Sequence, residues 1–168
     1  TGYCTVDYDR WDFVAHAFIL FLMFIGGSAG STAGGLKVIR LIVAFKVILA
    51  EVEKVFRPNV IRAVRVGKSV VDQDTQRATL VYVMIIFALT IIGSILLMVF
   101  EQQAEHELTY TGAVSAAIAT LNNVGPGFGR VGPTNNFGFF TAPSLTLMSL
   151  LMMLGRLEVY ALFVLFVP

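Results

Sequence analysis

Residues 123–127 read Asn-Val-Gly-Pro-Gly, and glycines permit backbone conformations that direct several carbonyl oxygens to one side of the chain. Carbonyls arranged in this way can replace the water shell of a dehydrated cation. The preceding residues 111–121 are apolar and Ala-rich, but about half as long as a helix that crosses a bilayer. A short helix followed by an extended glycine-containing loop is typical of a pore loop. The alternative is a surface turn, for which Gly-Pro-Gly is an ordinary sequence.

Residues 26–35 form a second unusual segment, Gly-Gly-Ser-Ala-Gly-Ser-Thr-Ala-Gly-Gly, inside an otherwise apolar helical pattern. Each glycine costs a helix roughly 1 kcal/mol relative to alanine. At membrane depth, irregular backbone is tolerated only where it is buried in protein or lines a water-filled cavity. The sequence therefore predicts a loop beside a permeation path. A static packing face with glycines at spacing four is the alternative. A phosphate loop is disfavoured because Leu36-Lys37 follows instead of Gly-Lys-Ser/Thr.

Arg156 lies in the middle of the apolar residues 145–167, where a charge costs at least about 2.5 kcal/mol. A weak internal repeat aligns residues 22–26 with residues 151–155, and this alignment places Arg156 opposite Gly27. A cation at that level would raise the electrostatic barrier for another cation. The alternative is an ion pair, either with Glu158, although residues two apart point to different faces of a helix, or with an acidic residue in another part of the protein.

Asp7, Asp9 and Asp12 precede the first apolar run. They could concentrate cations at a pore mouth, or they could be solvated loop charges with Asp12 capping the following helix. A lone Cys4 excludes an intramolecular disulfide, and the two histidines have no ligand-like spacing. No Ser/His/Asp set and no His-Glu-x-x-His motif is present, so the prediction is that the protein is not an enzyme.

The elements that must position these residues are membrane helices. Hydrophobic residues make up 57% of the chain and charged residues only 14%, well below the share of about 25% in soluble domains. Residues 78–100 carry no formal charge and are long enough to span a bilayer. We expect a broken helix over 12–57, a connection with a weak hairpin signal over 58–77, and an all-α integral membrane fold.

The distribution of basic residues predicts the orientation. Nine of the twelve lysines and arginines lie within residues 37–77, which the positive-inside rule places in the cytoplasm. Residues 101–143 then face outside. The basic run could also contact anionic lipid headgroups or a cytoplasmic partner.

Together these segments resemble the Trk/Ktr/HKT family of potassium transporters, and most of all its bacterial Trk-type membrane subunit. The matching residues are Thr1-Gly2-Tyr3 with Asp7-Tyr8-Asp9, residues 26–37, Val70-Val71-Asp72, residues 120–127 and Leu154-Gly155-Arg156-Leu157-Glu158.

The resemblance implies four helix–pore loop–helix repeats around one pore, with a helix broken at the gating loop. Residues 1–57 would end the third repeat, and residues 78–168 would form the fourth. The fourth repeat would comprise an outer helix over 78–100, a pore helix over 109–121, a filter over 122–129 and an inner helix over 144–167. The implied filter residues are Thr1, Gly2, Tyr3, Asn123, Val124, Gly125 and Pro126, with potassium at Thr1, Gly2, Asn123, Val124 and Gly125. The implied gate residues are Gly26, Gly27, Ser28, Gly30, Ser31, Thr32, Gly34, Gly35 and Arg156.

The resemblance also implies potassium uptake across the cytoplasmic (inner) membrane, with K⁺ as the transported ion and no covalently bound cofactor. The implied partners are the first and second repeats, a second copy in a homodimer, the lipid bilayer and a cytoplasmic ring of nucleotide-binding regulatory subunits; nucleic acid is not among them. Channel-like flow, Na⁺ symport and H⁺ symport all fit the residues. The alternative functions are a non-transporting scaffold or regulatory fragment, and a transporter of Na⁺ or of another solute.

Overall fold

The computed structural model of the chain describes residues 2–28, 31, 34–57, 63–67, 69–104 and 108–157. Within these residues, five α-helices follow one another: α1 (Phe13–Phe24), α2 (Val38–Phe56), α3 (Gln73–Gln103), α4 (Tyr110–Leu121) and α5 (Ala142–Arg156). Strands β1 (Arg65–Val66) and β2 (Ser69–Val70) lie between α2 and α3, and single 3₁₀ turns cover Tyr8–Arg10, Gly129–Val131 and Phe137–Phe139. Some predicted features lie outside the described residues. They are the filter residue Thr1, the gate residues Gly30 and Thr32, and the end of the predicted inner helix from residue 158 onward.

The predicted break in the first helix separates α1 from α2. Ile25 and Leu36 form an isolated parallel bridge, and the Gly26 amide donates to the Leu36 carbonyl at 2.8 Å. The Val38 amide donates to the Gly27 carbonyl at 3.2 Å. We call this closed base, residues 25–27 and 34–38, the loop neck. The chain therefore leaves the helix, forms a loop, and returns to the same place before α2 begins.

Helix α3 is longer at both ends than the predicted outer helix over 78–100. Its polar first turn is helical because the Asp72 carboxylate caps it, accepting from the Thr75 amide at 3.4 Å. Among the helices of the described residues, α3 alone is long and apolar enough to cross a membrane; α1 and α4 are shorter apolar helices. Helix α5 begins two residues before the predicted boundary, with Pro143 in its first turn, a position that suits proline.

Helix α4 lies at the centre of the packing, and nine of its twelve residues are buried. Its many alanines let α3 and α5 approach closely, and Leu97, Ala116, Ala117 and Met148 belong to one cluster between these helices. On its other side, Ile118 and Ala119 pack against Met23 of α1. The predicted short pore helix is thus a buried helix, with Thr109 as its N-cap.

Helix α2 packs against the hairpin and against α3. Val43, Val47 and Val64 form a buried cluster, and the Lys46 ammonium donates to the Arg65 carbonyl at 2.7 Å. The antiparallel hairpin pairs Arg65 with Val70 and Val66 with Ser69, which confirms the predicted hairpin, although its strands are only two residues long.

Candidate functional site

The two predicted filter segments lie side by side. Gly2 has a positive φ of +70°, and a Cβ added there would overlap the Val124 carbonyl oxygen and lie 2.7 Å from Cδ of Pro126. Gly125 also has a positive φ, +119°, and a Cβ on it would lie 3.7 Å from the Gly2 Cα. Both the backbone conformation and the close approach at position 2 therefore require glycine. Tyr3 follows with its side chain 94% exposed.

The base of the second segment turns sharply away from α4. Asn123 has φ of +55°, a left-handed conformation that asparagine tolerates better than most residues. The Val124 amide donates to the Ala119 carbonyl at 2.8 Å, and Nδ2 of Asn123 donates to the Met152 carbonyl at 3.2 Å. The segment is therefore attached both to the helix that precedes it and to α5.

The outer end of the same segment is fixed by a buried serine. Ser115 of α4 accepts a hydrogen bond from the Phe128 amide at 2.9 Å. A Cβ on Gly127 would lie 2.7 Å from Oγ of Ser115 and 2.8 Å from Cγ2 of Val131, so the chain passes too close for a side chain. The Gly127 amide donates to the Val131 carbonyl at 2.7 Å, which closes the turn after the segment.

Two residues that follow the first segment also reach the second. The Tyr8 hydroxyl donates to the Gly127 carbonyl at 2.8 Å. The Gly129 amide donates to Asp9, with its nitrogen 3.1 and 3.0 Å from the two carboxylate oxygens. Burial, with smaller contributions from Cys4, Asp9 and Asp7, raises the pKa of the Tyr8 phenol. The phenol therefore stays protonated, as a hydrogen-bond donor must.

The acidic residues before α1 differ from one another. Asp9 binds the backbone amide of Gly129, whereas the sequence suggested either a charge at a pore mouth or a solvated loop charge. Asp7 accepts from the Asp9 amide at 3.3 Å and pairs with Nε of Arg10 at 3.2 Å. Asp12 occupies the N-cap position of α1, but its side chain makes no capping hydrogen bond, so the prediction of a side-chain cap there is wrong.

The loop neck lies against the C-terminal end of α4. A Cβ on Gly34 would lie 2.5 Å from Nδ2 of Asn123, and one on Gly35 would lie 2.6 Å from Oδ1 of Asn122. Gly35 has a positive φ of +80°, and its amide donates to the Gly155 carbonyl over 3.4 Å. The structure thus brings the predicted gate and the base of the predicted filter into direct contact.

The other predicted gate residues that the structure describes lie in the neck, in the adjoining loop and at the end of α5. Gly26 lies in the neck, where a Cβ would be 2.7 Å from the Gly34 carbonyl oxygen. Further along the loop, the Ser31 amide donates to the Ser28 carbonyl at 3.0 Å. Arg156 lies in the last turn of α5 with an exposed side chain, next to the residue that contacts Gly35. Glu158, its alternative partner, lies outside the described residues.

One signal could have located part of this site from the sequence. The glycines at 125 and 127 indicate close approaches of the backbone, and the predicted filter segment included them. Tyr8 and Asp9 belong to the matching Asp-Tyr-Asp motif, but nothing local indicates that they contact residues 119 and 120 positions away. Within the described residues, no group of three or more His, Cys, Asp or Glu side chains could hold a metal ion.

Comparisons with known proteins agree with one another. The family model TrkH, described as a cation transport protein, matches residues 1–168. The Trk system potassium uptake protein TrkH of Salmonella typhimurium is 34% identical over 167 residues, which are 99% of this chain and 33% of that protein. The Trk system potassium uptake protein TrkI of Halomonas elongata is 31% identical over 169 residues, 100% of this chain and 33% of that protein. The crystal structure of the potassium transporter TrkH from Vibrio parahaemolyticus matches with a TM-score of 0.85 and 30% identity, over 99% of this chain and 34% of that one. The chain thus spans about a third of the length of these relatives.

Proposed function

Because the chain belongs to the TrkH family of cation transport proteins, whose all-α membrane fold it has, we propose that it supplies two filter segments and the gate of a potassium uptake system. One observation carries the proposal. Gly2 and Gly125 both have positive φ angles, and Gly2 lies so close to Val124 and Pro126 that it admits no side chain. Two unrelated surface turns would not require this contact.

In the proposed filter, K⁺ is held by backbone carbonyls of Thr1 and Gly2 on one side and of residues 123–125 on the other. Carbonyl dipoles replace the hydration shell of the ion, so the ion enters without a large dehydration cost. The C-terminal end of α4 lies at the base of the filter, and the partial negative charge of a helix C-terminus stabilises a cation there. The buried position of α4 in a medium of low dielectric strengthens that interaction.

The proposed gate is the loop over 26–35 together with Arg156. The contact between Gly35 and Asn122 supports a position directly below the filter. A guanidinium close to that level raises the electrostatic barrier for K⁺, because like charges repel more strongly away from bulk water. Movement of the loop would then open or close the path.

The proposed setting is the cytoplasmic membrane, with residues 37–77 on the cytoplasmic side. Nine of the twelve lysines and arginines lie within this range, beginning with Lys37 at the N-cap of α2. This concentration of positive charge supports the cytoplasmic orientation. Further repeats would complete the pore, and a second copy and a cytoplasmic nucleotide-binding ring would be partners. Transport, with K⁺ as cargo, is the proposed activity rather than catalysis.

The experiment is ⁸⁶Rb⁺ uptake into vesicles that hold the full-length protein containing this segment. Gly125→Ser should abolish selective uptake, because a side chain at φ of +119° strains the filter. Gly67→Ser is the matched control, because Gly67 also has a positive φ but lies in the hairpin between β1 and β2, outside the proposed filter. Arg156→Ala should raise the flux, whereas Arg77→Ala on exposed α3 surface should not. Unchanged uptake in both Gly125→Ser and Arg156→Ala would favour a non-transporting scaffold and overturn the proposal.

A further inference from the structure

The outer end of the second filter segment is held by two separate parts of the chain. Ser115 of α4 fixes the Phe128 amide. Tyr8 and Asp9, which follow the first filter segment, bind the Gly127 carbonyl and the Gly129 amide. The contacts of Tyr8 and Asp9 therefore join the stretch after the first filter segment to the stretch after the second. We call Tyr8 and Asp9 the brace.

The brace is itself held in place by its surroundings. Tyr8 is buried, and its ring meets Phe128 edge-on, with 5.6 Å between ring centroids. Nε2 of His16 lies 2.8 Å from the Tyr8 carbonyl oxygen, and the His16 ring packs 4.8 Å from that of Phe128. The Asp9 carboxylate also occupies the space that a Cβ on Gly132 would need. These contacts leave the hydroxyl and the carboxylate little freedom to move.

We propose that Tyr8 and Asp9 are positioning residues that set the spacing between the two filter segments and thereby determine ion selectivity. The inference rests on the proposed function of residues 123–126 as a filter. Neither side chain needs to touch the ion, because each acts through the backbone of Gly127 or Gly129. Supporting contacts of this kind hold the ligands of a binding site in the geometry that its function needs. Asp9 fills that role through its hydrogen bonds rather than through its net charge.

The test uses the full-length protein in vesicles, with the ratio of ⁸⁶Rb⁺ to ²²Na⁺ uptake as the readout. Tyr8→Phe removes only the hydroxyl, and Asp9→Asn removes the charge and weakens the bond to the Gly129 amide. Each should change the uptake ratio by about three- to tenfold, the range that corresponds to one net hydrogen bond. A merely structural role would lower the amount of folded protein without changing this ratio.

Matched controls are available nearby. Tyr110→Phe removes a phenol hydroxyl from a side chain that is 69% exposed. Asp12→Asn removes the same charge as Asp9→Asn from an exposed carboxylate without a capping hydrogen bond. Both controls should keep the wild-type uptake ratio. Gel filtration of each variant reports whether it is folded, and Tyr8→Phe tests the brace even if Asp9→Asn does not fold.

The outcomes separate the two proposals. If the wild-type protein takes up neither ion selectively, the proposed function is wrong. If the wild type is selective but Tyr8→Phe and Asp9→Asn match their controls, the brace is wrong and the filter stands. If Asp9→Asn and Asp12→Asn lower uptake equally, and high salt removes the difference from wild type, the carboxylates act as mouth charges. That result would also overturn the brace.

Discussion

Replacement of Glu101 should loosen the start of α5. Glu101 is at the C-terminal end of α3 and only 1% exposed. Its Oε1 accepts from the Thr141 amide at 3.1 Å, from the Thr141 hydroxyl at 2.8 Å and from the Ser144 hydroxyl at 2.5 Å. Thr141 is the N-cap position of α5, yet its own side chain makes no capping bond to the helix. Glu101 of α3 therefore does for α5 what the carboxylate of a capping box does within one helix, because it accepts from the amide of the N-cap residue.

The size of the effect follows from these three contacts. Glu101→Ala leaves one amide and two hydroxyls without their buried acceptor, at about 1 kcal/mol net for each hydrogen bond. The sum is about 3 kcal/mol, which corresponds to a factor of about 100 in a local opening equilibrium. Ser144→Ala removes one donor and should cost about 1 kcal/mol. Gln102→Ala, on the exposed side of the same turn, is the control and should have little effect.

The assay is amide hydrogen exchange measured by mass spectrometry on the full-length protein, because exchange reports local opening independently of total protein size. Peptides that cover residues 141–146 should exchange about 100-fold faster in Glu101→Ala and about fivefold faster in Ser144→Ala. Peptides from α1 should keep their protection. Equal protection of residues 141–146 in Glu101→Ala and Gln102→Ala would refute the reasoning.

Three further predictions concern glycines and a phenol. Gly35→Ala should lower the midpoint of thermal unfolding more than Gly67→Ala. Both variants incur a left-handed backbone cost of about 1–2 kcal/mol, but of the two only the Cβ at position 35 would meet another atom within 3 Å. Equal midpoints would contradict this. Gly155→Ala should destabilise the protein although alanine favours helices by about 1 kcal/mol, because its Cβ would overlap the Leu121 carbonyl oxygen and overpacking costs about 1–3 kcal/mol; a higher midpoint would refute it. The raised pKa of Tyr8 favours the folded state below the usual phenol pKa of about 10, and this contribution is lost only as pH rises towards the higher folded value. The ratio of ⁸⁶Rb⁺ to ²²Na⁺ uptake should therefore stay constant from pH 7 to 10. A fall in this ratio near pH 9 would count against the brace.

The sequence predicted the features that depend on local composition. The break between α1 and α2 follows from the glycines of residues 26–35, and the short α4 follows from the length of its apolar run. The charge-free residues 78–100 indicated α3, whereas the cap at Asp72, which starts the helix five residues earlier, was not predicted. These signals depend only on residues adjacent in the chain.

The contacts between distant segments were beyond sequence reasoning without an alignment. Nothing in the residue pattern indicates that Tyr8 meets Gly127 or that Glu101 binds Thr141 and Ser144 at the start of α5, since each pairing depends on how buried helices pack. The resemblance named Gly2 and Gly125 as parts of one filter, and the structure places them together. Their binding of potassium and the gating role of Arg156 stay predictions.

The loop neck has a consequence for how this protein can vary. Because the bridge between Ile25 and Leu36 already joins the two ends of the loop, the axis of α1 and the start of α2 do not depend on how many residues lie between them. Lengthening such a closed loop costs little, about 0.6 kcal/mol for each doubling of its length. Residues can therefore be added, removed or replaced between the two ends of the loop without moving α1 or α2. Proteins of this kind could differ in the length and sequence of this loop while the surrounding helices keep their packing.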